Sequence, residues 1–358
     1  MNSLDEMLKA AVGKKASDIF FVVGQPICYK IGGQIVRDHD LEYDWDRGLS
    51  AGTCQQWIQQ LYDTANRDMS YFVNNNDDDF AVSIPGAGRF RVNVFKQRGT
   101  ISAVLRAVPF GLPPFENMGI PNSILNIASL KKGLVLVTGT AGSGKSTTLA
   151  YIIDKINHER ECHILTLEDP IEYLHRHDKS IISQREIAID TESYSSALRA
   201  ALREAPDVIL IGEMRDRDTI ETAIIAAETG HLVFATLHTG SASDAVDRIV
   251  QVFEEGKQTQ IRLQLSMVLQ AVVTQQLLPR KGGGRILACE MMIVTDAIRN
   301  LIRAGNTPQI VNAIATGGSI GNQSMDQCLI RMVRNGGITR EVALRYARDK
   351  DYVKKNAV

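Results

Sequence analysis

No stretch of this 358-residue chain approaches the roughly 18 uninterrupted apolar residues of a membrane-crossing helix. Residues 1–10 carry Asp5 and Glu6 and lack the apolar core of a signal peptide. These absences predict a cytoplasmic protein. An excess of either charge is also missing: 40 basic side chains face 41 acidic ones, a formal net charge of -1. Without a basic surplus or a basic stripe interleaved with aromatics, the chain does not read as a nucleic-acid binder. Cysteine is sparse. Cys28, Cys54, Cys162, Cys289 and Cys328 lie far apart and form no C-x-x-C pair, which excludes the usual zinc and redox motifs and predicts reduced packing residues. What is present, 44% hydrophobic and 23% charged residues, describes a globular chain long enough for two domains.

A boundary is visible at residues 109–121, where four prolines fall within thirteen positions and disfavour both helix and sheet ladder. The predicted division is therefore 1–108, a linker at 109–121, and 122–358. In the first part, helices are expected over 4–12 and 51–62 and a strand over 18–23. Residues 79–84 and 89–95 alternate around Pro85-Gly86-Ala87-Gly88, and a third run covers 100–108, so this part should end in an antiparallel meander. The Asn-Asn-Asn-Asp-Asp-Asp run of 74–79 is expected to be a solvated turn. Beyond the linker, short apolar runs at 134–138, 164–167, 208–211 and 232–236 alternate with helix-length segments. That is the α/β pattern of a parallel sheet with crossover helices. Each run is followed by polar residues, which should meet in one crevice at the carboxyl ends of the strands. From Asp296 onward the sequence reads as helical.

Gly139, Thr140, Ala141, Gly142, Ser143, Gly144, Lys145 and Ser146 match G-x-x-x-x-G-K-[ST], with Thr147 opening the helical run behind them. Glycines let backbone N–H groups close around phosphate oxygens. Lys145 is placed to reach the β- and γ-phosphates of ATP and Ser146 to ligate Mg²⁺, while the helix N-terminus adds its dipole. The strand ending at Gly212 and Glu213 resembles a Walker B element, with Gly212 where many such enzymes carry the Mg²⁺-directed Asp. Glu213 is thus the candidate for the metal or its waters. Glu168, Asp169 and Glu172 follow another strand, and Glu168 is the candidate for polarising the attacking water. The bland reading is that these acids only cap and solvate a loop.

His231 and His238 bracket the fourth run. Seven residues apart on a strand they point to opposite faces or ends, so zinc is not expected. His238, at the carboxyl end, is the candidate γ-phosphate sensor. Arg91 and Arg106 fall on neighbouring strands of the meander, where they could stabilise phosphate charge or simply form surface salt bridges, the commoner fate of a strand arginine.

Taken together, the P-loop, the acidic box 166–173, the atypical Walker B 212–216, the histidine box 229–239 and Gly88-Arg-Phe-Arg-Val-Asn93 resemble the type II/IV secretion ATPase family, specifically the (PilT-like) retraction ATPases of twitching motility. The resemblance runs from about Ala16 to Asp349. It implies a RecA-like P-loop domain behind a smaller PAS-like α/β domain, assembled as a homo-hexamer. In that ring, Arg91 and Arg106 of one subunit complete the ATP site of its neighbour. It also implies work on an inner-membrane platform protein of a type IV pilus, alongside other pilus motor subunits, with attachment to the membrane face through partners. Assembly and secretion ATPases of the family usually carry an extra amino-terminal domain and a four-cysteine zinc insert, neither of which this sequence shows. Residues 297–304, Ala-Ile-Arg-Asn-Leu-Ile-Arg-Ala, resemble a helix signature of retraction ATPases that usually ends in Glu. Phe20 stands where the family often has His. An assembly or secretion motor, or a nucleotide-gated regulatory module, would share many of these residues.

Overall fold

Leu4, Met7, Leu8 and Ala11 recur at helical spacing and form the buried face of α1 (Leu4–Gly13). In the computed structural model, which describes residues 4–38, 48–108, 111–112 and 119–357, the chain divides into two units. One comprises residues 1–111 with 172–174, the other 112–171 with 175–358. Of the proline-rich stretch 109–121, residues 109–110 and 113–118 lie outside the described residues.

The first unit contains β1 (Asp18–Phe21), β2 (Cys28–Ile31), β3 (Gln34–Arg37), α2 (Ala51–Thr64), α3 (Ser70–Asn75), β4 (Asp77–Ile84), β5 (Gly88–Gln97) and β6 (Thr100–Val108). Its antiparallel sheet has the order β3-β2-β1-β6-β5-β4. The expected meander is β4 to β6. Period-two alternation sends Phe90, Val92 and Val94 of β5 into the core, which leaves Arg91 on the opposite face. The expected turn at 74–79 is corrected. Asn76 ends α3 in the left-handed conformation, and Asp77, Asp78 and Asp79 already belong to β4. Asp78 is buried, with its carboxylate accepting from Tyr62 Oη at 2.9 Å and from Arg67 Nε at 2.9 Å. A paired acid can enter a core that an isolated one cannot.

The second unit runs α4 (Asn122–Leu125), β7 (Gly133–Thr138), α5 (Lys145–Glu159), β8 (His163–Glu168), β9 (Ile181–Glu186), α6 (Tyr194–Ala201), β10 (Val208–Ile211), α7 (Arg217–Glu228), β11 (Leu232–Leu237), α8 (Ala242–Gln251) and α9 (Glu255–Val268). It continues with β12 (Leu269–Pro279), β13 (Arg285–Ile293), α10 (Asp296–Ala304), α11 (Pro308–Thr316), α12 (Met325–Arg334), α13 (Arg340–Tyr346) and α14 (Lys350–Asn356). The sheet order is β13-β12-β7-β11-β10-β8-β9, parallel except for β13. The four apolar runs are β7, β8, β10 and β11, with β7, β10 and β11 buried at every position. That is what covering both faces of a parallel sheet requires. In α10 the apolar stripe packs as a plain packing helix would, with Ile298 and Ile302 buried. Arg299 Nη1 donates to the carbonyls of Ser266 at 2.7 Å and Leu269 at 3.1 Å, closing the end of α9.

Candidate functional site

β7 delivers its last residue, Thr138, into a loop whose glycines are required by space and by backbone shape. Gly139 has φ +144°, and a Cβ there would sit 2.4 Å from the Gln275 carbonyl oxygen and 2.5 Å from Ser143 Oγ. Gly144 holds φ +91° directly before α5. No side chain caps the N-terminus of α5, so its N–H groups stay available for an anion. Ser143 Oγ is buried without a hydrogen-bond partner, and a buried orphan hydroxyl is costly unless something else satisfies it. Lys145 Nζ donates to the carbonyls of Gly139 at 2.9 Å and Thr140 at 3.1 Å. Ser146 and Thr147 are half-buried in the first turn of α5.

The neighbouring strand ends place the carboxylates. At the end of β8, Glu168 Oε1 accepts from Thr166 Oγ1 at 2.7 Å and from Gln184 Nε2 at 3.2 Å. These bonds fix the carboxylate's orientation. Glu213 follows β10, with its oxygens 2.7 Å from Arg215 Nη2 and 3.2 Å from His238 Nε2. The Arg215 hydrogen bond holds the Glu213 carboxyl below its ordinary value against the opposing effect of burial, helped by the charges of Arg215, His238 and Lys145. Burial, then the negative charges of Asp169, Glu213 and Glu168, push the Tyr194 phenol above its ordinary range. Two groups, Glu213 and Tyr194, thus register all four strand ends. The predicted crevice is assembled within one unit.

Gly212 now has a physical reason. A Cβ at this position would lie 2.7 Å from Tyr194 Oη and 3.1 Å from the Leu167 carbonyl. The side chain of the Asp in the commoner Walker B pattern would press on both. His231, by contrast, is satisfied locally, with Nδ1 at 2.9 Å from the Ala226 carbonyl. Several contributors were not read from the sequence. Thr166, Gln184 and Tyr194 surround the carboxylates, and Arg215 sits two positions past Glu213 within a motif already quoted. Gln275 Nε2 donates to Thr148 Oγ1 at 2.7 Å, and Thr274 meets Thr138 at 2.8 Å between hydroxyls. These two pairs tie β12 to the P-loop strand and helix.

In the first unit Arg91 and Arg106 are directly opposed partners across β5 and β6. Like charges so placed repel, and each is answered by an acid: Arg91 Nε by Asp79 at 3.2 Å, Arg106 Nε by Asp18 Oδ1 at 2.9 Å. Each arginine thus forms an ion pair within the first unit. Burial opposes ionisation of Asp18, but hydrogen bonds from Arg106 and Ser17 outweigh it and hold the carboxyl below its ordinary value.

A glycine-shaped loop between strand and helix, with acids at the carboxyl edge of a parallel sheet, defines a P-loop nucleotide-binding protein. The chain belongs to the type II/IV secretion system protein family, whose model matches residues 1–317. It is 43% identical over 359 residues to the type IV pilus retraction ATPase PilT of Pseudomonas aeruginosa, covering 99% of both chains. With a twitching motility protein of Neisseria gonorrhoeae it shares 47% identity over 281 residues, 78% of this chain and 75% of that one. The crystal structure of the pilus retraction motor PilT with bound ADP superposes with a TM-score of 0.88 at 43% identity, covering 99% of this chain and 100% of that one. The fold is the RecA-like ATPase fold with an amino-terminal domain.

Proposed function

We propose that this protein is an ATP-hydrolysing motor that drives type IV pilus retraction and so twitching motility. One observation carries the reading: behind the glycine-shaped P-loop, with its uncapped helix and orphaned Ser143 Oγ, Lys145 lies close enough for its charge to act on Glu213, which is itself paired with His238. The full-length likeness to PilT supports retraction. The residues fit ATP with Mg²⁺. Ser146 and Glu213 offer few oxygens, which suits an ion held mainly by waters and phosphates. Ser146 and Glu213 would hold the ion or its waters, and it would supply positive charge against the phosphates.

The chain's own groups divide the remaining work. Residues Gly139 to Thr147 bind the phosphates, and Lys145 exchanges its loop carbonyls for them. Glu168, oriented by Thr166 and Gln184, accepts a hydrogen bond from the attacking water. His238, held at Glu213, reports the γ-phosphate position. Division at 109–121 into a PAS-like domain and a RecA-like domain, and a hexameric ring in which Arg91 and Arg106 act on a neighbour's nucleotide, belong to the same proposal. So does engagement of a pilus platform protein and of other pilus motor subunits at the cytoplasmic face of the inner membrane. Among the described residues no helix is long and apolar enough to cross a membrane, and no cluster of His, Cys, Asp and Glu suited to a metal occurs.

The deciding experiment pairs a gene deletion with ATP turnover by the purified chain. Excess pili that do not retract, restored by the parent chain but not by Lys145→Ala, are expected. Cells without pili would instead indicate an assembly motor.

A further inference from the structure

His238 stands just beyond the end of β11, and the loop that carries it reaches the cap of α8 at Ser241. Loops of this kind move more than the elements they join unless something grips them. Here the grips fall at Gly240, Ser241 and Ala242. Ser241 Oγ accepts from the Asp244 N–H at 2.9 Å and caps α8. The Ala242 N–H donates to Glu290 Oε1 of β13, also at 2.9 Å. The last grip comes from 108 positions along the chain, where Arg348 Nη2 donates to the Gly240 carbonyl at 2.7 Å. Arg348 Nη1 lies 3.6 Å from Glu290 Oε2, so one guanidinium fork spans the loop carbonyl and the carboxylate that holds Ala242. Asp244 Oδ2 is 3.9 Å from Nη2.

Both partners of that fork are themselves anchored. Glu290 is 3% exposed, a burial that suits a carboxylate given hydrogen bonds and a cation. Arg348 lies between α13 and α14, where its own N–H and that of Asp349 donate to the buried Asp326 carboxylate in the first turn of α12, each at 2.9 Å. Asp349 then caps α14 by accepting from the Tyr352 N–H at 2.9 Å. The carboxy-terminal helices thus present Arg348 to the histidine loop from a fixed backbone.

We propose that Arg348 is a positioning residue for His238: by holding the Gly240 carbonyl it sets the loop so that His238 Nε2 stays 3.2 Å from Glu213 Oε1 and in place for the γ-phosphate. Two rigid peptide planes separate Gly240 from His238, so a displaced carbonyl displaces the imidazole. The inference rests on the reading of His238 as the γ-phosphate sensor. ADP lacks that phosphate, and its binding should not register Arg348 at all.

The test titrates ADP and a non-hydrolysable ATP analogue, each with Mg²⁺, into the full-length protein and its variants. Arg348→Met keeps the apolar stem and loses every donor. It should bind the analogue at least ~10-fold more weakly than the parent does, the scale of a misplaced hydrogen bond to a charged group, and bind ADP as the parent does. Arg348→Lys, which can still donate to the Gly240 carbonyl, should recover part of the loss. Because Arg348→Met leaves the Glu290 carboxylate buried without its guanidinium, the double variant Arg348→Met/Glu290→Gln is measured beside it. Neutral Gln can still accept from the Ala242 N–H, so this protein should fold and show the same selective loss. Equal weakening of ADP and analogue would mean a merely structural arginine and overturn the proposal. So would parent-like analogue binding by the double variant while His238→Ala loses it, an outcome that leaves the reading of His238 standing. Parent-like analogue binding by His238→Ala would remove that reading, and the role of Arg348 with it.

Discussion

Lys145 spends its charge on the carbonyls of Gly139 and Thr140, so its side chain serves the loop and not the core. Lys145→Ala should therefore melt near the parent temperature while turnover falls at least ~10²-fold, the scale of losing one donor to developing charge. A calorimetric scan beside a phosphate-release assay checks both halves. Glu168→Gln and Glu213→Gln should still bind ATP and lose turnover by about 10²–10⁴-fold. Binding is read with a fluorescent nucleotide, and parent-like turnover in either variant removes that residue from its role. At Gly212 the forecast concerns packing. Gly212→Ala pushes a methyl group toward Tyr194 Oη, 2.7 Å from the ideal Cβ position, and should cost about 1–3 kcal/mol by overpacking. Tyr194→Phe removes that oxygen, so the double variant should recover part of the loss. The Leu167 carbonyl at 3.1 Å keeps the recovery incomplete. Denaturant unfolding of the four proteins closes the cycle, and strict additivity would mean the hydroxyl is not the obstacle.

At the scale of elements, β4, β5, β6 and β1 carry a row of charges in the order Asp79, Arg91, Arg106, Asp18. The folded carboxyl of Asp18 titrates below its ordinary value, so its contribution is present above the unfolded value and is lost as pH falls through the depressed one. Asp18→Asn should be less stable than the parent at neutral pH, and the gap should shrink on acidification through the depressed carboxyl value. Urea unfolding at a series of pH values measures it, and a gap independent of pH would exclude the ion pair as its source. Which elements were legible beforehand follows from how they are buried. β7, β10 and β11 are apolar on both faces and stand out as runs. β12 does not, because its buried positions include Thr274 and Gln275, whose hydroxyl and amide nitrogen bond to Thr138 and Thr148, far away in sequence. β9 likewise spends Gln184 on Glu168, a pairing invisible without the sheet order. The acidic run at 74–79 misled for the converse reason, since Asp78 owes its burial to Tyr62 and Arg67. In the site, spacing sufficed for the P-loop, whereas Tyr194 and Arg215 are defined only by what they touch.

For the whole molecule the question is which subunit owns the arginines. If Arg91 and Arg106 act on a neighbour's nucleotide, Arg91→Ala and Lys145→Ala should each be nearly inactive alone, because a fixed charge of this kind is worth roughly 10³–10⁵ in rate. Mixed rings tell a different story. An Arg91→Ala subunit keeps its P-loop and can take arginine from a Lys145→Ala neighbour, so co-expressed mixtures should regain part of the activity. No recovery at any ratio, with mixed rings shown by native mass spectrometry, would confine these arginines to their own chain.

The bonds from β12 to the P-loop have a mechanical meaning. Gln275 grips Thr148, and Thr274 grips Thr138, while nine residue pairs from Ala271↔Ile293 to Pro279↔Arg285 join β12 to β13. α12 is docked on β13 through the Met291–Gln323 bridge. A pull on the carboxy-terminal helices along the strand direction would load that ladder in shear, with its hydrogen bonds sharing the force instead of opening one by one. Such a path has little compliance, and a tug at α12 would reach the phosphate loop with hardly any slack.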